Sequence, residues 1–131
     1  MIGLDSNVLL RYLLQDDLVQ SKQAGDFIER RLSPKTRGFV SVVAMAETAW
    51  VLDRTYGFSE EQIAAAIERT LQVDVLVVES EREVYSALTA LRRREASFAD
   101  ALIAALGTFA GCSTTATFDR KAARHPGFTL L

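Results

Sequence analysis

The feature that most constrains this chain is its regular alternation of short apolar or β-branched runs with longer stretches of helical spacing. Met1–Leu4, Gly38–Val42, Val75–Val78, Thr114–Phe118 and Phe128–Leu131 read as strands. Asn7–Leu14, Leu18–Leu32, Val43–Tyr56, Ser59 to about Gln72, Glu81–Arg94 and Phe98–Ala110 read as the helices between them. The punctuation agrees: Asp5 or Ser6 can cap the first helix, Ser33-Pro34 ends the second, and Gly57 stops the third. Ser59-x-x-Gln62 has the form of a capping box, and Gly111 closes the last helix. Strands separated by helices imply an α/β fold with a parallel sheet covered on both faces. In such sheets chemistry collects beyond the C-terminal ends of the strands.

Composition narrows this further. The 131 residues fit a single domain, 1–131, with enough chain to bury a sizeable core. With 49% hydrophobic and 24% charged residues the chain is not of a disordered class. Fifteen Lys and Arg against seventeen Asp and Glu give a net charge of −2, so nucleic acid would have to be held by a local site, not by overall charge. The lone Cys112 excludes an internal disulfide and a CxxC metal knuckle, and the lone His125 excludes His-rich zinc sites. No strand is followed by a glycine-rich phosphate turn, which excludes a dinucleotide enzyme. The N-terminus has no secretory pattern, and the longest nearly apolar stretch, Phe98–Cys112, is broken by Asp100 and is shorter than a membrane span. A soluble, cytoplasmic protein without membrane partners is expected.

Four acids fall at the sheet edge where chemistry is expected. Asp5 ends the first strand and Asp119 the fourth; Asp100 lies in the first turn of the helix that feeds the fourth strand; Glu47 lies early in the helix after the second. Each has a plainer reading. Asp5 could cap its helix, Asp119 the short turn at residues 120–124, Asp100 could complete a Ser97-x-x-Asp100 box, and Glu47 could face solvent. Against these, Glu47 shares a helix face with Val43, Trp50 and Val51, and Asp100 is flanked by Phe98, Ala99, Ala101, Leu102 and Ile103. That helix is expected to be buried almost all round, and a buried carboxylate needs a partner. No basic residue is an obvious partner for all four acids. A hard divalent cation, Mg²⁺ or Mn²⁺, would suit such an all-oxygen set and would favour phosphodiester hydrolysis.

The segments IGLDSNVLLRYL, AMAETAWVL, SFADALIAAL and TATFDRKAARHPGF, in this order and spacing, resemble the PIN-domain family, and more narrowly the VapC-type toxins of bacterial toxin–antitoxin pairs. The resemblance implies a three-layer α/β/α sandwich with a mainly parallel central sheet, and a Mg²⁺- or Mn²⁺-dependent endoribonuclease. It places the metal and catalytic set on Asp5, Glu47, Asp100 and Asp119. Asp5 and Asp100 would be the main ligands, Asp119 a direct or water-mediated one. Glu47 would bind a second metal or orient the attacking water. Asn7, Thr117 and Ser6 match supporting positions around the acids. Ser97 stands where relatives often carry a further acid, which puts a second metal site in doubt. The resemblance further implies RNA as substrate, a cognate antitoxin protein as partner, and a homodimer. The alternative is a PIN-fold module that binds RNA or protein without catalysis, although such modules usually lose one or more of the acids.

The remaining residues are read more simply. Arg92, Arg93 and Arg94 are expected to be a solvated helix end set against the helix dipole, and Arg120 and Lys121 solvated charge. Arg11, one turn after Asn7, can point to the site edge or away from it. His125 is expected at the surface, Cys112 as a small buried residue, and Trp50 and Tyr56 in the core or an interface rather than as base-stacking platforms. Asp16 and Asp53 read as turn and face charges, with Asp53 on a different face from Glu47.

Overall fold

Asp5 both closes the first strand and opens the first helix. In the computed structural model, which describes residues 1–131, β1 is Ile2–Gly3 and α1 is Ser6–Leu14. Asp5 adopts extended backbone angles at the boundary, and its carboxylate accepts the Ser6 N–H at 2.9 Å. Helix α1 ends at Gln15, whose φ of 56° turns the chain out of the helix. Helix α2, Leu18–Asp26, is capped by the Asp17 carboxylate, which accepts the N–H groups of Val19 and Gln20. The periodicity predicts one helix to Leu32; the last part, Phe27–Arg31, is instead a wider π-helical turn.

Strand β2, Gly38–Val40, is shorter than expected because Ser41 caps α3, Val42–Arg54, by accepting the Ala44 N–H. Helix α4, Glu60–Leu71, carries the predicted capping box in both directions between Ser59 and Gln62. Strand β3 is Leu76–Val78, followed by α5 at Glu81–Arg92 and α6 at Phe98–Phe109. Strand β4, Thr115–Thr117, a short 3-10 turn at Ala122–Arg124, and β5, Phe128–Leu130, complete the chain.

All strand pairings are parallel. β1 pairs with β2 (Ile2 opposite Gly38) and β2 with β3 (Gly38 opposite Leu76), while β4 pairs with β5 (Thr115 opposite Phe128). With helices against the strands, this is a mixed α/β fold of the three-layer α/β/α kind with parallel strands at its centre. The strands fall into two hydrogen-bonded sets, β1-β2-β3 and β4-β5, rather than one continuous sheet. Ile2 and Leu4 donate to the carbonyls of Arg37 and Phe39, which ties β1 to β2 and its lead-in.

One core of 26 buried residues joins the layers, with Leu9, Ile28, Val40, Met45, Leu52, Ile67 and Val84 almost wholly enclosed. Helix α6 departs from the all-round burial expected of it. Phe98, Ala101, Leu102 and Ala104 are buried against α5 and its neighbours, whereas Ile103 and Phe109 are exposed. No helix is long and apolar enough to cross a membrane.

Candidate acidic site

The first pair of acids is built at the start of α1. Asn7 donates its side-chain N–H to Asp5 Oδ2 at 3.1 Å, and the buried Ser6 hydroxyl donates to Glu47 Oε1. Ser6 is thus the physical link between the end of β1 and the second turn of α3, and both acids it connects are exposed. Glu47 therefore faces solvent, contrary to what its apolar companions on α3 suggest, because Val43 and Trp50 are themselves exposed on that face.

The second pair lies at the start of α6 and the end of β4. Ser97 Oγ accepts the Asp100 N–H at 3.2 Å, but the carboxylate does not return the bond, so only half of a capping box is present. The half-buried Asp100 carboxylate accepts no hydrogen bond and makes no ion pair within the chain. Asp119 is exposed; its N–H donates to Thr117 Oγ1 at 3.0 Å, and its Oδ1 accepts the N–H groups of Lys121 and Ala122 at 2.8 and 3.4 Å. Asp119 is in this respect the turn cap that its position allowed, and Thr117 fixes its backbone. Asp100 and Asp119 line a common cleft of about 470 Å³.

The elements bearing the four acids are consecutive neighbours: α1 packs on α3, α3 on α6, and α6 on β4. Even so, no three of the acids are gathered closely enough to hold a metal ion. The structure brings them together as two pairs, Asp5 with Glu47 and Asp100 with Asp119. In chemistry the set fits a hard divalent cation. It offers carboxylate oxygens alone, none of the four is in an ion pair with a protein cation, and Asp100 has its whole hydrogen-bonding capacity free.

The cleft shared by Asp100 and Asp119 is also lined by Trp50, Asp53 and Arg54 from α3, by Arg94 and Glu95 before α6, and by Lys121 and Arg124 after β4. Sequence reasoning did not assemble this wall. The signal available was the three- and four-residue spacing of Trp50, Asp53 and Arg54, which puts them on one helix face.

Several other readings are corrected by the structure. Trp50 is 58% exposed and Tyr56 is also exposed, which removes the core from the two alternatives and leaves an interface. Cys112 is exposed, not buried. His125 is largely covered, with Nδ1 accepting the Gly127 N–H at 3.0 Å and Nε2 3.9 Å from Glu95. Arg92 is exposed at the end of α5, as expected, and bonds Glu68 at 2.7 Å. Arg11 points away from the acids into a network with Gln20 and Asp16, and Tyr56 donates to the same Asp16 carboxylate at 3.0 Å. The Asp16 carboxyl lies below its ordinary range: partial desolvation pushes it up, and the hydrogen bonds from Tyr56 and Arg11 together overcome that. The same contacts, Asp16 first and Tyr56 next, push the Arg11 guanidinium up.

No significant match was found among curated proteins or among solved structures. A match was found with one protein family, the PIN domain, and it extends over residues 2–127. PIN domains are in general metal-dependent nucleases, and the parallel α/β architecture agrees with that class. The chain belongs to the PIN-domain family.

Proposed function

We propose that this protein is a Mg²⁺- or Mn²⁺-dependent endoribonuclease that acts as the toxin of a toxin–antitoxin pair, with Asp5, Glu47, Asp100 and Asp119 as its catalytic and metal-holding residues. The observation that carries the reading is Asp100: a half-buried carboxylate in a cleft, with neither donor nor cation from its own chain. A divalent cation is a suitable partner for such a group, and a second acid on the same cleft, Asp119, supports it.

Asp5 and Asp100 would be the principal ligands, with Asp119 beside them. When bound, the cation supplies a water of lowered pKa and neutralises charge on a phosphate oxygen. Asn7 steadies the Asp5 carboxylate and Ser6 that of Glu47, which limits their rotation. Glu47, exposed and acceptor-only when ionised, takes the proton of the attacking water. The water oxygen bonds to phosphorus as the bond to the leaving ribose oxygen breaks, and that oxygen takes a proton from solvent.

That no three of the acids gather closely enough to hold a metal ion is the one observation that favours the other reading, a PIN-fold module that binds RNA or protein without cleaving it. One experiment decides. Purified protein is incubated with a mixed RNA pool in Mg²⁺ or Mn²⁺ and in EDTA, beside Asp5→Asn and Asp100→Asn, with Mn²⁺ binding followed by calorimetry. The nuclease reading expects metal-dependent cleavage that falls on the order of 100-fold in each variant, together with weakened Mn²⁺ binding. Neither cleavage nor Mn²⁺ binding in the wild type would leave the binding module. The toxin assignment expects growth arrest on induction that Asp100→Asn abolishes.

A further inference from the structure

The cleft that holds Asp100 and Asp119 carries more than acids. Trp50 lines it with 58% of its surface open to solvent, and Arg54 follows one helical turn later on the same face of α3. Arg94, from before α6, lines it too, as do Lys121 and Arg124 around the turn that Asp119 caps. Arg94, Lys121 and Arg124 make no ion pair within the chain, and Arg54 only reaches Asp53 at 4.0 Å, at an exposed position where such contacts hold weakly. Asp53, Glu60 and Glu95 share the wall, so acids slightly outnumber cations until a divalent ion is added, which turns the balance positive.

An open indole beside unpaired cations has the properties of a single-strand nucleic-acid platform: the ring offers a face to an unpaired base, and the cations take the flanking phosphates. We infer that Trp50 stacks an unpaired base of the RNA next to the scissile phosphate, with Arg54, Arg94, Lys121 and Arg124 holding the backbone on either side. The inference rests on the nuclease reading and adds the residue that selects unpaired over paired RNA. A base in a duplex has both faces covered by its neighbours, so it cannot reach the ring without being unstacked.

Trp50 is the sole tryptophan of the chain, which makes it its own reporter. The test uses the wild-type protein in Mg²⁺, titrated with a cleavage-resistant phosphorothioate single-stranded RNA oligomer and with a duplex of equal length and backbone. Saturable quenching of Trp50 emission is expected with the single strand and not with the duplex. Trp50→Ala should weaken single-strand binding, measured by anisotropy of labelled RNA, about tenfold, with Trp50→Phe recovering most of the loss. Equal binding of Trp50→Ala and the parent, binding without quenching, or equal quenching by the duplex would each overturn the inference. Wild-type cleavage in Mg²⁺ without Trp50 quenching removes this inference alone; absence of both cleavage and binding removes the nuclease reading with it.

Discussion

Thr48 sits beside Glu47 on α3, and its hydroxyl is buried without any hydrogen-bond partner. Such an orphan carries a desolvation cost that a methyl group of the same shape does not. Thr48→Val should therefore raise stability by about 1 kcal/mol, read as a higher urea midpoint with unchanged slope. Unchanged or lower stability would mean that the hydroxyl has a partner in solution. Among the candidate site residues, Asp5 was legible at this scale because a strand-ending acid that also caps a helix leaves a local pattern. The solvent exposure of Glu47 was not legible, since it depends on Val43 and Trp50 being left uncovered by the rest of the fold.

At the scale of elements, the turn between α5 and α6 carries strain. Arg94 has a φ of 58°, and its neighbour Glu95 donates back to Ala90, the arrangement in which glycine is the usual residue. Arg94→Gly should stabilise the protein by about 1 kcal/mol, the left-handed penalty of a residue with a Cβ less the larger entropy loss of glycine. On the RNA reading the same change should weaken binding, so thermal denaturation and anisotropy should move in opposite directions. A second tie joins α4 and α5: Arg92 bonds Glu68 and holds its carboxyl below the ordinary 4.5. A carboxyl lowered in the folded state contributes stability that is complete above its unfolded pKa and is lost as pH falls through the folded one. The wild type should therefore lose stability more steeply than Glu68→Gln as pH drops below about 4.5, in urea titrations at low salt. Identical slopes would show that the pair is screened by solvent. The capping box of α4 and the cap of α1 were readable in advance because each is settled within four residues, whereas the Ser41 cap of α3 lay inside a stretch that reads as strand. The π-helical end of α2 was not, because it reflects how the chain enters β2.

For the molecule as a whole, the tightest junction lies at Gly38, where β1, the end of the second helical segment and β3 meet. A Cβ there would come within 2.7–2.8 Å of methyl carbons of Leu4, Leu32 and Leu76. These are ends of flexible side chains, so Gly38→Ala should cost about 1–3 kcal/mol by overpacking, and Gly38→Val more, measured by equilibrium denaturation. A neutral result would mean that the core beside β2 is looser than its burial suggests. The sequence by itself determined the alternation of strands and helices, their parallel pairing, most of the helix caps and the order of the four acids, because each is written in local spacing and residue chemistry. Tertiary packing alone decided that the strands form two hydrogen-bonded sets, that the acids stand as two pairs linked by Ser6 and by a shared cleft, and that Trp50 faces solvent beside Arg54. Those outcomes depend on which surfaces of distant segments meet, and nothing within a single helix or strand encodes that.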